Sequence, residues 1–155
     1  MDLSRIESYK DIYGYRKVFD ICLATPFEPE ETDGSRYGFY EKTSEKIGKL
    51  GKKIFVPHKE IDLNWPPAKI YDIIQEIIIP QSELVLCEIS ASLAAGMMGG
   101  RAYQCKKPVI HFYRKGAFLE NIIFRLDVFD LIEYTQEKEA LEKIKLSVEK
   151  FYKNP

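Results

Sequence analysis

The sequence predicts an α/β domain of doubly wound type. The expected architecture is a mainly parallel five-stranded sheet with helices on both faces, Rossmann-like or flavodoxin-like. Three observations predict it. Short apolar runs alternate five times with helix-patterned segments, and such alternation implies right-handed βαβ crossovers that cover both faces of a parallel sheet. The run Leu84-Val85-Leu86-Cys87-Glu88-Ile89-Ser90 is nearly continuous in apolar character, as a strand buried on both faces is. A length of 155 residues suits one domain and suffices for a substantial core.

Residues 1–17 are polar, carry Tyr9, Tyr13 and Tyr15, and read as an N-terminal arm to a domain over 18–155. Val18 to Ala24 reads as the first buried strand. It stops at Thr25-Pro26-Phe27, and a loop rich in Glu, Pro, Asp and Gly runs through Gly34. From Tyr37 to Leu50, the positions Phe39, Tyr40, Ile47 and Leu50 recur at helical spacing, with Gly51 as the stop. Lys53 to His58 is a short second strand. Pro66 and Pro67 suit the first turn of a helix that carries Ile70, Ile73, Ile74, Ile77 and Ile78. After the third strand come a small-residue helix from Ser92 to Gln104 and a fourth strand from Pro108 to Tyr113. A short helical piece, Phe118 to Phe124, leads to a fifth strand, Val128 to Tyr134. An amphipathic helix over 136–152, with Leu141, Ile144, Val148 and Phe151, closes the domain.

Composition excludes several function classes. A net charge of −1 with basic residues spread along the chain gives no field to gather nucleic acid or an anionic membrane surface. No apolar run nears the roughly 20 residues that span a bilayer, and the start Met1-Asp2-Leu3-Ser4-Arg5 lacks a signal-peptide stretch. Cys22, Cys87 and Cys105 are odd in number and widely spaced, so neither a disulfide framework nor a zinc pair follows. A cytoplasmic location is expected. The phosphate-binding patterns GxGxxG and GxxxxGK[ST] are missing, as are GxSxG and HExxH. No cofactor and no metal are expected.

Ligands of doubly wound sheets bind beyond the carboxyl ends of the strands. That directs attention to the loops Thr25–Arg36, His58–Trp65 and Ser90–Gly96. Thr25, Pro26 and Phe27 are expected to line a pocket there, and His58 falls on the same edge. Arg36 is placed to reach a phosphate from the first loop, a solvated role being its alternative. Ser90 and Ser92 suit the capping of the following helix, whose free N–H groups could hold an anion; a plain cap is the alternative. Gly96, Gly99 and Gly100 weaken that helix, which close packing against the sheet or a second subunit would justify, or a backbone opened toward a ligand. His111, mid-strand, reads as a packed histidine. Asp72 and Glu76 share a helix face and read as ion-paired or solvated. Glu88 sits near the end of the central strand, where a charge is costly unless it is used or paired. It is the candidate catalytic carboxylate.

Four segments stand in a telling order: Cys22-Leu23-Ala24-Thr25-Pro26-Phe27, Ser82 through Ile89, Ser92 through Ala102, and Lys107-Pro108-Val109-Ile110. Together they resemble the nucleoside 2-deoxyribosyltransferase family and its sister branch, the 2′-deoxynucleoside 5′-phosphate N-hydrolases. The resemblance runs from residue 18 to about 125. It implies cleavage of an N-glycosidic bond by the logic of a retaining glycosidase, with a glutamate attacking the anomeric carbon and an aspartate assisting. Carried over by position, the nucleophile falls on Met98, the aspartate on Gln75 with Asp72 one turn away, and the first-strand tyrosine on Cys22. Ser92 matches a sugar- or phosphate-binding position and is similar to that of the 5′-monophosphate branch. Asn121 resembles an element lent by a neighbouring subunit, which implies a homodimer or higher oligomer. The expected partner is a nucleoside or nucleotide, with Gly96 and Met98 also lining its site. The expected function is cleavage or transfer at the N-glycosidic bond of a (deoxy)nucleoside 5′-monophosphate. The alternatives are a nucleotide-sensing module without catalysis and an interaction domain without a small-molecule ligand.

Overall fold

Five strands form where the apolar runs place them: β1 (Ile21–Ala24), β2 (Ile54–Phe55), β3 (Leu84–Glu88), β4 (Val109–Arg114) and β5 (Asp130–Tyr134). The structure is a computed structural model and describes residues 19–25, 34–89, 93–117 and 127–154. The strands lie in the order β2-β1-β3-β4-β5, and every pairing is parallel. The order reverses between β1 and β3, which makes their carboxyl ends the topological switch point. The fold is the doubly wound, flavodoxin-like arrangement that the alternation predicts.

The helices are α1 (Gly34–Gly48), α2 (Pro57–Glu60), α3 (Pro67–Ile73), α4 (Leu93–Gln104) and α5 (Glu137–Lys153). Side chains along a strand point alternately to opposite faces, and the sheet therefore carries two cores. Ile21, Leu23, Leu84, Leu86, Ile110 and Phe112 pack with Phe39 and Tyr40 of α1 and with Ala140, Ile144 and Val148 of α5. Cys22, Val85, Cys87 and Val109 face the other way, against Ile70 and Ile73 of α3 and Ala95, Met98 and Ala102 of α4. Each fully buried leucine or isoleucine contributes about 1.5–3 kcal/mol through the area it removes from water.

Strand ends shift by one to three residues from the sequence expectation, and three larger differences follow, two of which move candidate residues. The second strand ends at Phe55, and Pro57 opens α2, so His58 sits in a short helix instead of at a strand end. Proline suits a first helical turn because its missing N–H would find no helical partner there. Arg36 lies inside α1, which starts at Gly34, and not in a loop. The third difference is in the helix begun by α3, which passes through a π-helical segment, Ile74–Ile78, before its last turn, Ile79–Gln81. Pro80 accounts for it: an α-helical path would drive the proline ring against the carbonyl four residues back. The wider path has Ile79 N–H donating to the Ile74 carbonyl, but Pro80 has no N–H for the Gln75 carbonyl. Arg101 of α4 supplies one, its Nε donating to Gln75 O at 3.2 Å while Nη2 pairs with Glu76 at 2.8 Å. Arg101→Met is therefore expected to destabilise by about 1–2 kcal/mol in urea denaturation, since it orphans a helix carbonyl as well as a carboxylate.

Of the three α4 glycines, Gly99 meets the sheet. A Cβ there would stand 2.9 Å from Cys87 Sγ and 3.0 Å from His111 Cε1, whereas Gly96 and Gly100 have nothing within 4 Å of that point. Gly99→Ala is expected to cost about 1–3 kcal/mol by overpacking, read as a lowered Tm. The arm 1–17, the loop 26–33 and the helical piece expected over 118–124 lie outside the described residues.

Candidate functional site

Glu88 is the last residue of β3 and shares the α1-side face with Leu84 and Leu86. Its side chain has no solvent exposure. An unpaired carboxylate in that position would be expensive, and three groups remove the penalty. The Arg36 guanidinium forms an ion pair with Oε1. The Tyr134 hydroxyl, at the end of β5, donates to the same oxygen at 2.7 Å. The Tyr40 hydroxyl donates to Oε2 and itself accepts from Arg36 Nε at 3.1 Å. Arg36 and Tyr40 are four residues apart in α1, one turn on the same face. Burial holds the Tyr40 and Tyr134 phenols above their ordinary range, partly offset by the nearby guanidinium, and both remain protonated donors. Burial works against the charge on Arg36, but the contacts with Tyr40 and Tyr134 outweigh it and the guanidinium stays protonated. With both oxygens engaged and no exposure, Glu88 in this arrangement neutralises Arg36 and fixes the tyrosines.

A second polar group borders the first. His58 is nine-tenths buried and lies 3.2 Å from Glu41 Oε1 through Nε2. A carboxylate only accepts, so Nε2 carries the proton. The imidazole stacks on Tyr37 with ring centres 4.1 Å apart and planes at 11°, and Tyr40 lies 6.4 Å away. Its Nδ1 is buried without a hydrogen-bond partner, as is the hydroxyl of fully buried Thr25, which directly follows β1. The first half of α1 thus supplies Arg36 and Tyr40 to Glu88, and Tyr37 and Glu41 to His58.

Other candidates lie elsewhere. Met98 is fully buried in the core between α4 and the sheet, on the face opposite Glu88. Cys22 belongs to that same core. Gln75 lies in the π-helical segment with its carbonyl held by Arg101. Gly96 is exposed on α4. Glu76 is ion-paired, as the sequence suggested. Pro26, Phe27, Ser90, Ser92 and Asn121 fall outside the described residues. Sequence reasoning missed Tyr40 and Tyr134 as polar groups, having read both as apolar positions, and it missed Tyr37 and Glu41. The four-residue spacing of Arg36 and Tyr40 was the available signal. Among the described residues, no cluster of His, Cys, Asp and Glu has the makings of a metal site, and no helix is long and apolar enough to cross a membrane.

Two buried groups on the opposite face are tuned away from reactivity. Burial pushes the Cys87 thiol up to about 12. Burial also lowers His111 to about 4, against a weaker opposing hydrogen bond with the Cys87 backbone. His111 thus stays neutral in the fold while the unfolded chain takes up a proton near pH 6.5. Its contribution is full above pH 6.5 and is lost as pH falls toward 4, by about 3 kcal/mol in all. The stability difference between the parent and His111→Gln, followed by denaturation from pH 7 to pH 4, is expected to shrink by that amount.

No family model and no curated protein matches the chain. Among solved structures it is similar to the CMP N-glycosidase BcmB of Clostridium botulinum, with a TM-score of 0.61 and 17% sequence identity. The match covers 81% of this chain and 97% of that one. The likeness shows a shared fold: the doubly wound α/β sheet is also that of the neighbour.

Proposed function

We propose that the chain binds a nucleoside 5′-monophosphate at the carboxyl edge of β1 and β3 and acts as a nucleotide-binding module on an N-glycosidase-like scaffold. The observation that carries the site is the polar array at the switch point, where Thr25, Arg36, Tyr40, His58 and Glu88 gather around the start of α1. Doubly wound sheets take their ligands there. The nucleotide class is supported by the likeness to a CMP N-glycosidase and by the segments that resemble nucleoside 2-deoxyribosyltransferases. Ser92 at the amino end of α4 is the phosphate contact in this reading, because Arg36 is already neutralised by Glu88. Asn121 of a second copy would complete the site, which makes the functional unit a homodimer or a higher oligomer.

Cleavage of the N-glycosidic bond is the second reading, and the neighbour's activity favours it. It needs a carboxylate able to attack or to stabilise an oxocarbenium centre. The position of the family nucleophile holds Met98, inside the core, and Glu88 is clamped by three side chains. Binding without cleavage is therefore the preferred function. Incubation with CMP, dCMP and the corresponding purine nucleotides separates the two. The expected result is a concentration-dependent rise in Tm with no free base by chromatography. Free base released by the parent and not by Glu88→Gln would restore the enzymatic reading. No thermal response to any nucleotide would favour an interaction domain.

A further inference from the structure

We propose that Thr25 and His58 form a subsite for one ring hydroxyl of the bound nucleotide's sugar, an assignment that rests on the nucleotide-binding reading. Two of the three unpartnered buried side-chain atoms among the described residues motivate it, Thr25 Oγ1 and His58 Nδ1; the third, His111 Nδ1, lies on the opposite face beside Cys87 and Gly99. Each orphaned polar atom costs about 1–3 kcal/mol in the free protein, which a ligand that satisfies it would recover. Both belong to the same neighbourhood. Alternation along β1 sends Thr25 to the face of Ile21 and Leu23, and the pairing of Ala24 with Cys87 sets it beside Glu88. His58 packs against Tyr37, Tyr40 and Glu41 of the helix that covers that face.

The chemistry of the two atoms selects the partner. With a proton on Nε2 facing Glu41, the neutral imidazole offers Nδ1 as an acceptor, while the threonine hydroxyl can donate or accept. A hydroxyl, which can donate to Nδ1 and accept from the threonine, answers both. A base carbonyl only accepts and leaves Nδ1 unanswered; an exocyclic base amine reaches both only with the threonine hydroxyl as acceptor, and the deoxynucleotides separate it from a sugar hydroxyl. A phosphate is repelled by the Nδ1 lone pair, and the cation of the polar array, Arg36, is already compensated by Glu88. A buried water has the same hydrogen-bonding chemistry as a sugar hydroxyl, and the experiment separates the two sources.

The test measures Kd by calorimetry for CMP, 2′-deoxy-CMP and 3′-deoxy-CMP with the parent, Thr25→Val, Thr25→Ser and His58→Phe. Valine keeps the shape of threonine without its hydroxyl, serine restores the hydroxyl, and phenylalanine keeps the stack on Tyr37. The expected result is that Thr25→Val and His58→Phe each weaken CMP roughly tenfold, the loss of one hydrogen bond to a buried partner. Thr25→Ser recovers most of it. One of the two deoxy compounds binds the parent about tenfold more weakly and is indifferent to both substitutions, which identifies the hydroxyl. The ligand-free Tm of Thr25→Val is expected to equal or exceed that of the parent. If Thr25→Val lowers that Tm and leaves CMP affinity unchanged, the hydroxyl serves a buried water and the subsite is overturned. Equal weakening of all three nucleotides also overturns it. A parent protein that binds none of the three overturns the nucleotide reading itself, and the sugar assignment falls with it.

Discussion

Replacing Glu88 with alanine is expected to destabilise the protein by about 3–5 kcal/mol, the largest single effect of any substitution in the polar array. The carboxylate is fully buried, and removing it leaves the Arg36 charge and the hydroxyls of Tyr40 and Tyr134 without their common acceptor. Breaking one side of a buried ion pair costs this much because the surviving charge is stranded, not because the pair itself is worth that much. The double variant Glu88→Met with Arg36→Met removes both charges while keeping the volume, and it is expected to recover most of the loss. Urea denaturation of the parent, Glu88→Met, Arg36→Met and the double variant gives the coupling directly. A Glu88→Ala protein of parental stability would mean that the carboxylate is not held as described.

Converting Met98 to glutamate, the residue that the family resemblance would put there, is expected to destabilise by more than about 4 kcal/mol and to yield no free base from any nucleotide. Met98 has no solvent exposure and lies in the apolar cluster with Ile70, Ile73, Ala95 and Ala102. A carboxylate there loses its hydration with no partner to replace it, which is one of the few routes to so large a change from one substitution. Thermal melting at pH 7 and chromatography for base measure the two halves of the expectation. A stable Met98→Glu protein that releases base would show that the position opens to the ligand edge after all.

Much of the fold was legible in the sequence because it rests on local and periodic signals. Apolar runs marked all five strands, and continuous apolarity marked β3 as buried on both faces. Boundaries were less legible where one residue decides them. Pro57 reads equally as the end of a strand or the start of a helix, and the second meaning took His58 out of the strand. The π-helical segment depends on Pro80 and on Arg101, a residue 26 positions from the carbonyl it satisfies.

The polar array at the carboxyl edge was partly legible in the sequence. Glu88 drew attention because a charge at the end of a buried strand must be used or paired, and the structure pairs it. Its partners Tyr40 and Tyr134 lie 48 and 46 residues away, and a tyrosine on an apolar face carries no mark that its hydroxyl is engaged. The opposite orientations of Glu88 and Met98 follow from alternation and helix phase. Position matching along the sequence does not register either one.

The claim that most needs testing is that the ligand sits at the carboxyl edge of β1 and β3. The most direct measurement is a crystal structure of the protein grown with CMP. The account predicts nucleotide density over the ends of these strands, with a sugar hydroxyl at Thr25 and His58 and the Arg36–Glu88 pair intact beneath it. Density confined to the groove between β5 and α5, lined by Lys115, Glu139 and Lys143, would contradict it, as would a carboxyl edge left empty at saturating nucleotide.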